Sequence, residues 1–239
     1  MLTLLIAAIT GMIIGAGVWY LSGYILLGIA VFALVVVGIN ILVGRHFLGK
    51  LTALMGSIEK DLRSERLDAA MEKLKDGYKY SKWQFFVKQQ IDSQIGSLLY
   101  LRKRFDEALP YLEKSFTRNW SAMCMLAAHY YRNKEYAQCY KTMDKAVSNN
   151  KKESFVYSLY AYFLSEQGQS DKAIQILTKG EEKLPLDERI SGALDSLKNR
   201  KKIKIQNYGA VWMQLHLGKS QDGARPYQAL AMNQKFKRR

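Results

Sequence analysis

One pattern of large and small residues occurs three times between residues 89 and 180, and it limits the fold more than any other feature. The second copy lies 31 residues after the first, and the third lies 34 residues after the second. Repeats of this period predict stacked helical hairpins. Each copy pairs a small residue of a first helix with a small residue of a second helix, namely Gly96 with Ala108, Ala127 with Cys139, and Ala161 with Ala173.

The small residues have a direct physical meaning. Two antiparallel helices approach closely only where small side chains meet, and the surrounding Leu, Tyr and Phe fill the space around that contact. A leucine at Ala108 is therefore expected to destabilise the fold by about 1–3 kcal/mol through overpacking. A generic amphipathic bundle with stripes of alanine and leucine is the alternative. The agreement of three copies in spacing favours the repeats.

These positions resemble the tetratricopeptide repeat family over roughly residues 64–199. The resemblance implies an all-α solenoid whose first helices form a concave wall that binds an extended peptide or a helix. Rigid rings on that wall, Tyr100, Tyr131 and Tyr162 beside Arg132, would serve as anchors; ordinary solvent-facing or packing tyrosines are the alternative. The positions that the resemblance assigns to the groove are Gln90, Ser93, Ser97, Tyr100, Leu101, Cys124, Ala128, Tyr131, Arg132, Phe155, Ser158, Tyr162 and Glu166.

The first 44 residues contain no charged side chain. About 20 apolar residues cross a hydrocarbon core of about 30 Å, so this stretch is long enough for two spans. Aromatic residues and a Ser-Gly pair at residues 19–24 mark a tight loop between them. We expect spans at residues 2–20 and 24–43. A cleaved signal peptide is the alternative, but the stretch lacks a basic leading region and a clear cleavage site.

The charges beside the spans predict their orientation. Arg45, His46 and Lys50 follow the second span, whereas the connecting loop has no lysine or arginine. Because positive residues stay on the inner side, the repeats are expected in the cytoplasm, at the inner (plasma) membrane.

A ladder of small residues in the first span, Ala7, Gly11 and Gly15, allows a second helix to approach closely. The ladder is expected to pack on the second span of the same hairpin. A homodimer contact is the alternative.

The rest of the chain divides by composition. We expect a juxtamembrane helix at residues 45–63, the repeats at residues 64–185, and a helix that caps the solenoid at residues 186–199. Residues 200–239 form a basic tail. From residue 198 onward the chain has eleven lysines and arginines and one aspartate, which gives +10 of the total +15.

The tail supports two further expectations. Residues 202–206 and 211–217 alternate on either side of Asn207-Tyr208-Gly209, which predicts a small β-hairpin. The remainder is expected to be loosely ordered until bound. Contact with anionic lipid or with nucleic acid is the alternative function, although no nucleic-acid motif is present; a solvated, nonspecific basic end remains open as well. The basic cluster comprises Lys198, Arg200, Lys201, Lys202 and Lys204.

Residues suited to catalysis or metal binding are scattered. His46, His129 and His216 are isolated, and no group has metal-ligand spacing. Cys124 and Cys139 fit reduced core thiols. We therefore expect no catalytic residue, metal or cofactor. The sequence predicts a membrane-anchored, non-enzymatic scaffold that binds a protein or peptide partner and helps to assemble a membrane complex.

Overall fold

The computed structural model describes residues 2–63, 66–82 and 86–218. These residues form helices and turns, and no strand occurs among them. They divide into two units, Met1–Ile91 and Asp92–Arg239. The helices are α1 (Leu2–Ser22), α2 (Ile25–Arg63), α3 (Leu67–Asp76), α4 (Val87–Leu101), α5 (Phe105–Leu112), α6 (Trp120–Arg132), α7 (Tyr136–Asn149), α8 (Ser154–Glu166), α9 (Ser170–Lys183), α10 (Glu188–Lys198) and α11 (Ala210–Met213).

The first unit begins with a hairpin of α1 and α2. Thr3–Ser22 and Ile25–Val43 are long and apolar enough to cross a membrane, a test that a signal sequence also passes. A Cβ atom on Gly15 would lie 2.8 Å from the carbonyl oxygen of Gly28, and one on Gly28 would lie 2.7 Å from that of Gly15. Ala7, Gly11 and Gly15 are all buried. The ladder of small residues is thus covered by the second helix of its own hairpin.

Helix α2 runs without interruption from the apolar region to Arg63. Helix α3 packs against it, and Ala70 and Leu74 of α3 are buried. A 3₁₀ helix, Gly77–Lys82, follows.

The second unit contains the repeats as three helical hairpins, in which α4, α6 and α8 are first helices and α5, α7 and α9 are second helices. The six small residues that define the pattern are buried, as close helix packing requires. A Cβ atom on Gly96 would lie 2.9 Å from the side chain of Leu112 in α5. A Cβ atom on Gly180 would lie 2.9 Å from the ring of Tyr157 in α8. These glycines are therefore required by close packing.

The first helices end in the same way in every repeat. Lys103, Lys134 and Gly168 each have a positive φ, between 62° and 73°. In each case the next N–H donates to the carbonyl oxygen five residues earlier, at 2.9 Å, which is the Schellman arrangement for closing a helix. Arg200, with φ 55°, closes α10 through the same bonds. Helix α10 therefore ends like the first helix of an incomplete fourth repeat.

Helix α10 covers the last hairpin by packing on α8 and α9. Its N-terminus is capped by the Asp187 carboxylate, which accepts from the N–H groups of Arg189 and Ile190. Ile190, Leu194 and Leu197 are buried, as the predicted capping face requires.

The predicted β-hairpin is wrong. Residues 202–217 contain a 3₁₀ helix, Ile205–Tyr208, and the short helix α11, joined by Gly209 at φ 53°. The turn lies where the sequence indicated it, but helical turns flank it because the segment packs on helices and has no partner strand. Residues 219–239, with the predicted loosely ordered end, lie outside the described residues.

Candidate protein-interaction surface

The first-helix surface is the face formed by α4 from Asp92 onward, α6 and α8. Because the repeats have nearly the same length, equivalent positions of these helices carry the rings of Tyr100, Tyr131 and Tyr162. Among the described ring contacts these three tyrosines do not stack on each other. Tyr131 instead stacks on Phe163, with 4.3 Å between ring centroids, and Tyr162 lies 6.0 Å from the same ring.

Several predicted groove residues are buried. The Ser93 hydroxyl accepts from the N–H of Phe116 at 2.8 Å, so it joins α4 to the loop after α5. Burial raises the pKa of the Tyr100 hydroxyl, which therefore stays protonated and can donate. The other buried positions are Leu101, Cys124, Ala128, Phe155 and Ser158.

The remaining predicted groove residues are accessible. Arg132 is exposed, with its guanidinium carbon 3.5 Å from the centre of the Phe105 ring. Tyr131 and Ser97 are half-buried, and Glu166 is exposed. Gln90 is exposed on the first turns of α4, in the first unit.

The first-helix surface is occupied by the chain itself. Residues 203–217, here called the C-terminal segment, run along it from α8 to the end of α4. Ile203 and Ile205 of the segment are buried, whereas Lys204 between them is exposed, as are Lys201 and Lys202 before the segment. Lys202 is 3.5 Å from Glu166, an exposed ion pair of little energetic weight.

Tyr208 is held by polar and aromatic contacts together. Its hydroxyl lies 2.9 Å from that of Ser158, which is fully buried. The rings of Tyr208 and Phe155 make a T-shaped contact with 4.9 Å between centroids, and the guanidinium of Arg189 lies over the Tyr208 ring at 5.0 Å. Burial raises the pKa of Tyr208, while hydrogen bonds from Ser154 and Ser158 oppose that shift.

After the turn at Gly209 the segment returns across the surface. The Trp212 ring meets Tyr162 edge-on at 5.2 Å, and burial raises the pKa of that tyrosine to about 12. Tyr100 then donates its hydroxyl to the carbonyl oxygen of Leu215 at 2.9 Å. The His216 ring lies 6.0 Å from that of Tyr100. The segment thus contacts both the first and the last of the three first helices.

A polar cleft of about 340 Å³ opens beside the end of the segment. Asn133 Nδ2 lies 3.1 Å from His129 Nε2, which is within hydrogen-bonding distance. Burial, and then the Arg132 charge, lower the pKa of His129. Among the described residues, no three or more His, Cys, Asp or Glu side chains group as a metal site would require. The cleft is lined by Lys103, Arg104, Phe105, Asp106, Glu107, His129, Arg132 and Asn133.

Both cysteines lie in the core of the repeats and form no disulfide. Burial raises the pKa of Cys124 and raises that of Cys139 to about 12. The two thiols are therefore protonated and unreactive at neutral pH.

Sequence reasoning found six residues that contact the C-terminal segment or flank its end: Tyr100, Arg132, Phe155, Ser158, Tyr162 and Glu166. It missed the segment itself. The available signal was the presence of Tyr208, Trp212 and Leu215 within an otherwise basic tail, since large apolar residues seldom occur together in a chain that stays in solvent.

Comparison with known proteins supports the repeat architecture. A family described as anaphase-promoting complex, cyclosome, subunit 3, whose repeats are tetratricopeptide-like, matches residues 102–180. A solved structure of a MamA RS-1 ArsTM double mutant shares 15% sequence identity and a TM-score of 0.46, covering 72% of this chain and 97% of that chain. At these values the likeness supports no inference about function. No curated protein matches.

Proposed function

The chain is a tetratricopeptide-repeat protein, and on this premise we propose that it is a membrane-anchored scaffold. It would hold a protein or peptide partner at the cytoplasmic face of the inner membrane and take part in assembling a membrane complex. The proposal assigns the protein a binding function and no catalysis.

One observation carries the binding role. The first-helix surface already holds a peptide, the C-terminal segment, through rings and hydroxyl groups of α4 and α8. Tyr100 and Ser158 offer buried polar groups, and Phe155 and Tyr162 offer rings that make T-shaped contacts. A surface of this kind suits extended or helical ligands, because rigid aromatic side chains lose little entropy on binding.

The apolar hairpin supports the anchor. Leu21, Leu26, Leu34 and Leu42 are each more than two-thirds exposed on α1 and α2. Exposed leucines in such number are unfavourable in water and favourable in hydrocarbon. The absence of charge before Arg45 fits two spans whose flanking cations remain on the inner side.

Site-specific photocrosslinking tests the binding role. A photoreactive amino acid replaces Arg132, next to the first-helix surface, in the full-length chain within its native membrane. The matched control replaces Lys145, an exposed residue of the second helix α7. We expect a discrete crosslinked product from position 132 and none from position 145. No product from position 132, or the same product from both, contradicts the assignment of this surface.

Cysteine labelling tests the anchor and its orientation. Because Cys124 and Cys139 are buried, the wild-type chain provides an unreactive background for a membrane-impermeant maleimide. Ser22→Cys, at the end of α1 beside the loop, should be labelled in intact cells, whereas Glu182→Cys on α9 should be labelled only after permeabilisation. The reverse pattern would place the repeats outside. Loss of the first residues from the mature chain would identify a signal peptide.

A second candidate function is supported by the exposed cations at the end of α10. Lys198, Arg200, Lys201 and Lys204 lie within seven residues and are exposed. Near an anionic bilayer each contributes up to about 1 kcal/mol. Hydrogen exchange of residues 198–204 should be slower in anionic than in neutral lipid nanodiscs if this cluster contacts lipid. A salt-sensitive shift with RNA or DNA, lost when the four cations are replaced by glutamine, would favour nucleic acid instead.

A further inference from the structure

We propose that the C-terminal segment is a replaceable internal ligand, and that the first-helix surface binds in its place a linear partner peptide with the same chemistry. This rests on the proposed scaffold function and goes beyond it by specifying the partner. The peptide presents apolar side chains at two positions separated by one residue, then a tyrosine, a tryptophan four residues later and a leucine three residues after that. These are the spacings of Ile203, Ile205, Tyr208, Trp212 and Leu215.

Each position of that pattern corresponds to a defined contact. The tyrosine is recognised by the hydroxyl of Ser158 and the ring of Phe155, and the tryptophan by a T-shaped contact with the ring of Tyr162. At the leucine it is the backbone carbonyl that is recognised, through the Tyr100 hydroxyl at 2.9 Å. The surface therefore selects two aromatic side chains and fixes the position of the backbone after them.

The fold allows the segment to leave without opening a helix. Helix α10 is closed by its own bonds, from the N–H of Arg200 to Leu197 and from that of Lys201 to Ser196. The small-residue contacts that join each helical hairpin are made within the repeats. Residues 199–202 are exposed and connect α10 to the segment. The contacts that hold the segment are made largely by side chains, so a peptide that supplies those side chains can replace it.

The chemistry of the segment also defines what the partner need not have. Lys202 precedes the buried isoleucines and Lys204 lies between them; both lysines are exposed, as is the ion pair of Lys202 with Glu166. Charge in the flanks is therefore not part of the recognition pattern. Binding should depend on the tyrosine and the tryptophan and only weakly on salt.

Peptide exchange in the full-length chain tests this proposal. A specific protease site is inserted between Lys201 and Lys202, after the bonds that close α10, and the detergent-solubilised protein is studied before and after cleavage. The probe is a fluorescein-labelled peptide of residues 203–217. We expect no anisotropy change before cleavage, when the attached segment has a high effective concentration, and saturable binding after it. Unlabelled peptide should compete.

Two peptide variants provide the controls. The double variant Tyr208→Ala and Trp212→Ala should fail to compete at any concentration at which the parent peptide displaces the probe. Tyr208→Phe should bind at least about fivefold more weakly, because the buried Ser158 hydroxyl loses its partner. Equal competition by the parent and the double variant would overturn the proposal.

The remaining outcomes are also decisive. If the cleaved chain keeps its helices but never exchanges the segment, the segment is a permanent part of the fold and the proposal fails. If the cleaved chain loses its helices, as measured by circular dichroism, the segment is required for folding and the proposal likewise fails. A crosslink from position 132 in the uncleaved chain would in either case preserve the scaffold function, with a partner that binds beside the C-terminal segment and does not replace it.

Discussion

The hydrogen bond from Tyr100 to Leu215 joins residues that lie 115 positions apart in the chain, and its removal is the sharpest test of how the C-terminal segment is held. Tyr100→Phe deletes one oxygen and keeps the ring that meets Phe105 edge-on at 4.9 Å. Both Tyr100 and Leu215 are almost completely buried. The carbonyl oxygen of Leu215 would then lose its donor in a place that water does not reach.

The size of the effect follows from that burial. An unsatisfied buried polar group costs about 1–3 kcal/mol. If the segment opens locally, this corresponds to an increase of about 5- to 150-fold in its open population. The change should be confined to residues 203–217, since Tyr100 retains its packing within the repeats. Hydrogen exchange measured by mass spectrometry, compared peptide by peptide, reports this directly.

Tyr160→Phe is the matched control. The Tyr160 hydroxyl donates to Asp144 Oδ1 at 2.9 Å, within the repeats, and the exposed carboxylate can bind water instead. This variant should leave exchange in residues 203–217 unchanged. If Tyr100→Phe also leaves it unchanged, or accelerates exchange equally in α6 and α9, then the bond does not hold the segment and the reasoning is refuted.

Two further predictions concern packing and pH. In a thermal unfolding experiment, Gly180→Ala should destabilise the protein by about 1–3 kcal/mol, because the new Cβ atom meets the ring of buried Tyr157 at 2.9 Å. In the same experiment Gly192→Ala should stabilise the protein by about 0.5–1 kcal/mol, because the space around Gly192 is open. For His216, burial and then nearby cations lower the pKa in the folded state, so the released segment binds the proton more readily. Opening of residues 203–217, measured by hydrogen exchange and corrected for the intrinsic exchange rate, should therefore increase as pH falls below about 6.5. The variant His216→Asn should abolish this pH dependence, and asparagine tolerates the positive φ at this position. If His216→Asn keeps the same pH dependence as the wild type, the argument about His216 is contradicted. If Gly180→Ala leaves the stability unchanged, the packing argument is contradicted.

The repeats could be predicted because their information is local and periodic. Close approach at Ala108 and Cys139 requires a small residue at a fixed distance along the chain, and that requirement is visible without any structure. The Schellman closures show the limit of prediction from local sequence. A glycine at position 168 indicates a positive φ, whereas Lys103 and Lys134 adopt the same conformation although lysine seldom does. For Lys103 and Lys134 the packing of the helical hairpins supplies what the local residue does not.

The position of the C-terminal segment could not be predicted, because its partners are distant in sequence. Nothing in the spacing of Tyr208 identifies Ser158 as the residue that meets its hydroxyl. The groove positions were assigned by their place in the repeat, which identifies the first-helix surface but not the C-terminal segment that covers it. The same limit applies to Ser93, whose position suggested a ligand contact and whose hydroxyl instead binds the loop after α5.

The alternation at residues 202–205 illustrates how a correct pattern led to a wrong element. Period-two alternation shows that a chain has one buried and one exposed side, and the structure has that division, with Ile203 and Ile205 buried and the lysines in solvent. A strand requires in addition a neighbouring strand to accept its backbone bonds. Here the neighbours are helices, so the segment keeps one buried and one exposed side while its backbone forms a 3₁₀ helix from Ile205 onward. Lys204 and the buried isoleucines are consequently on opposite sides of one segment, and a partner that takes the place of the segment would also change where Lys204 lies.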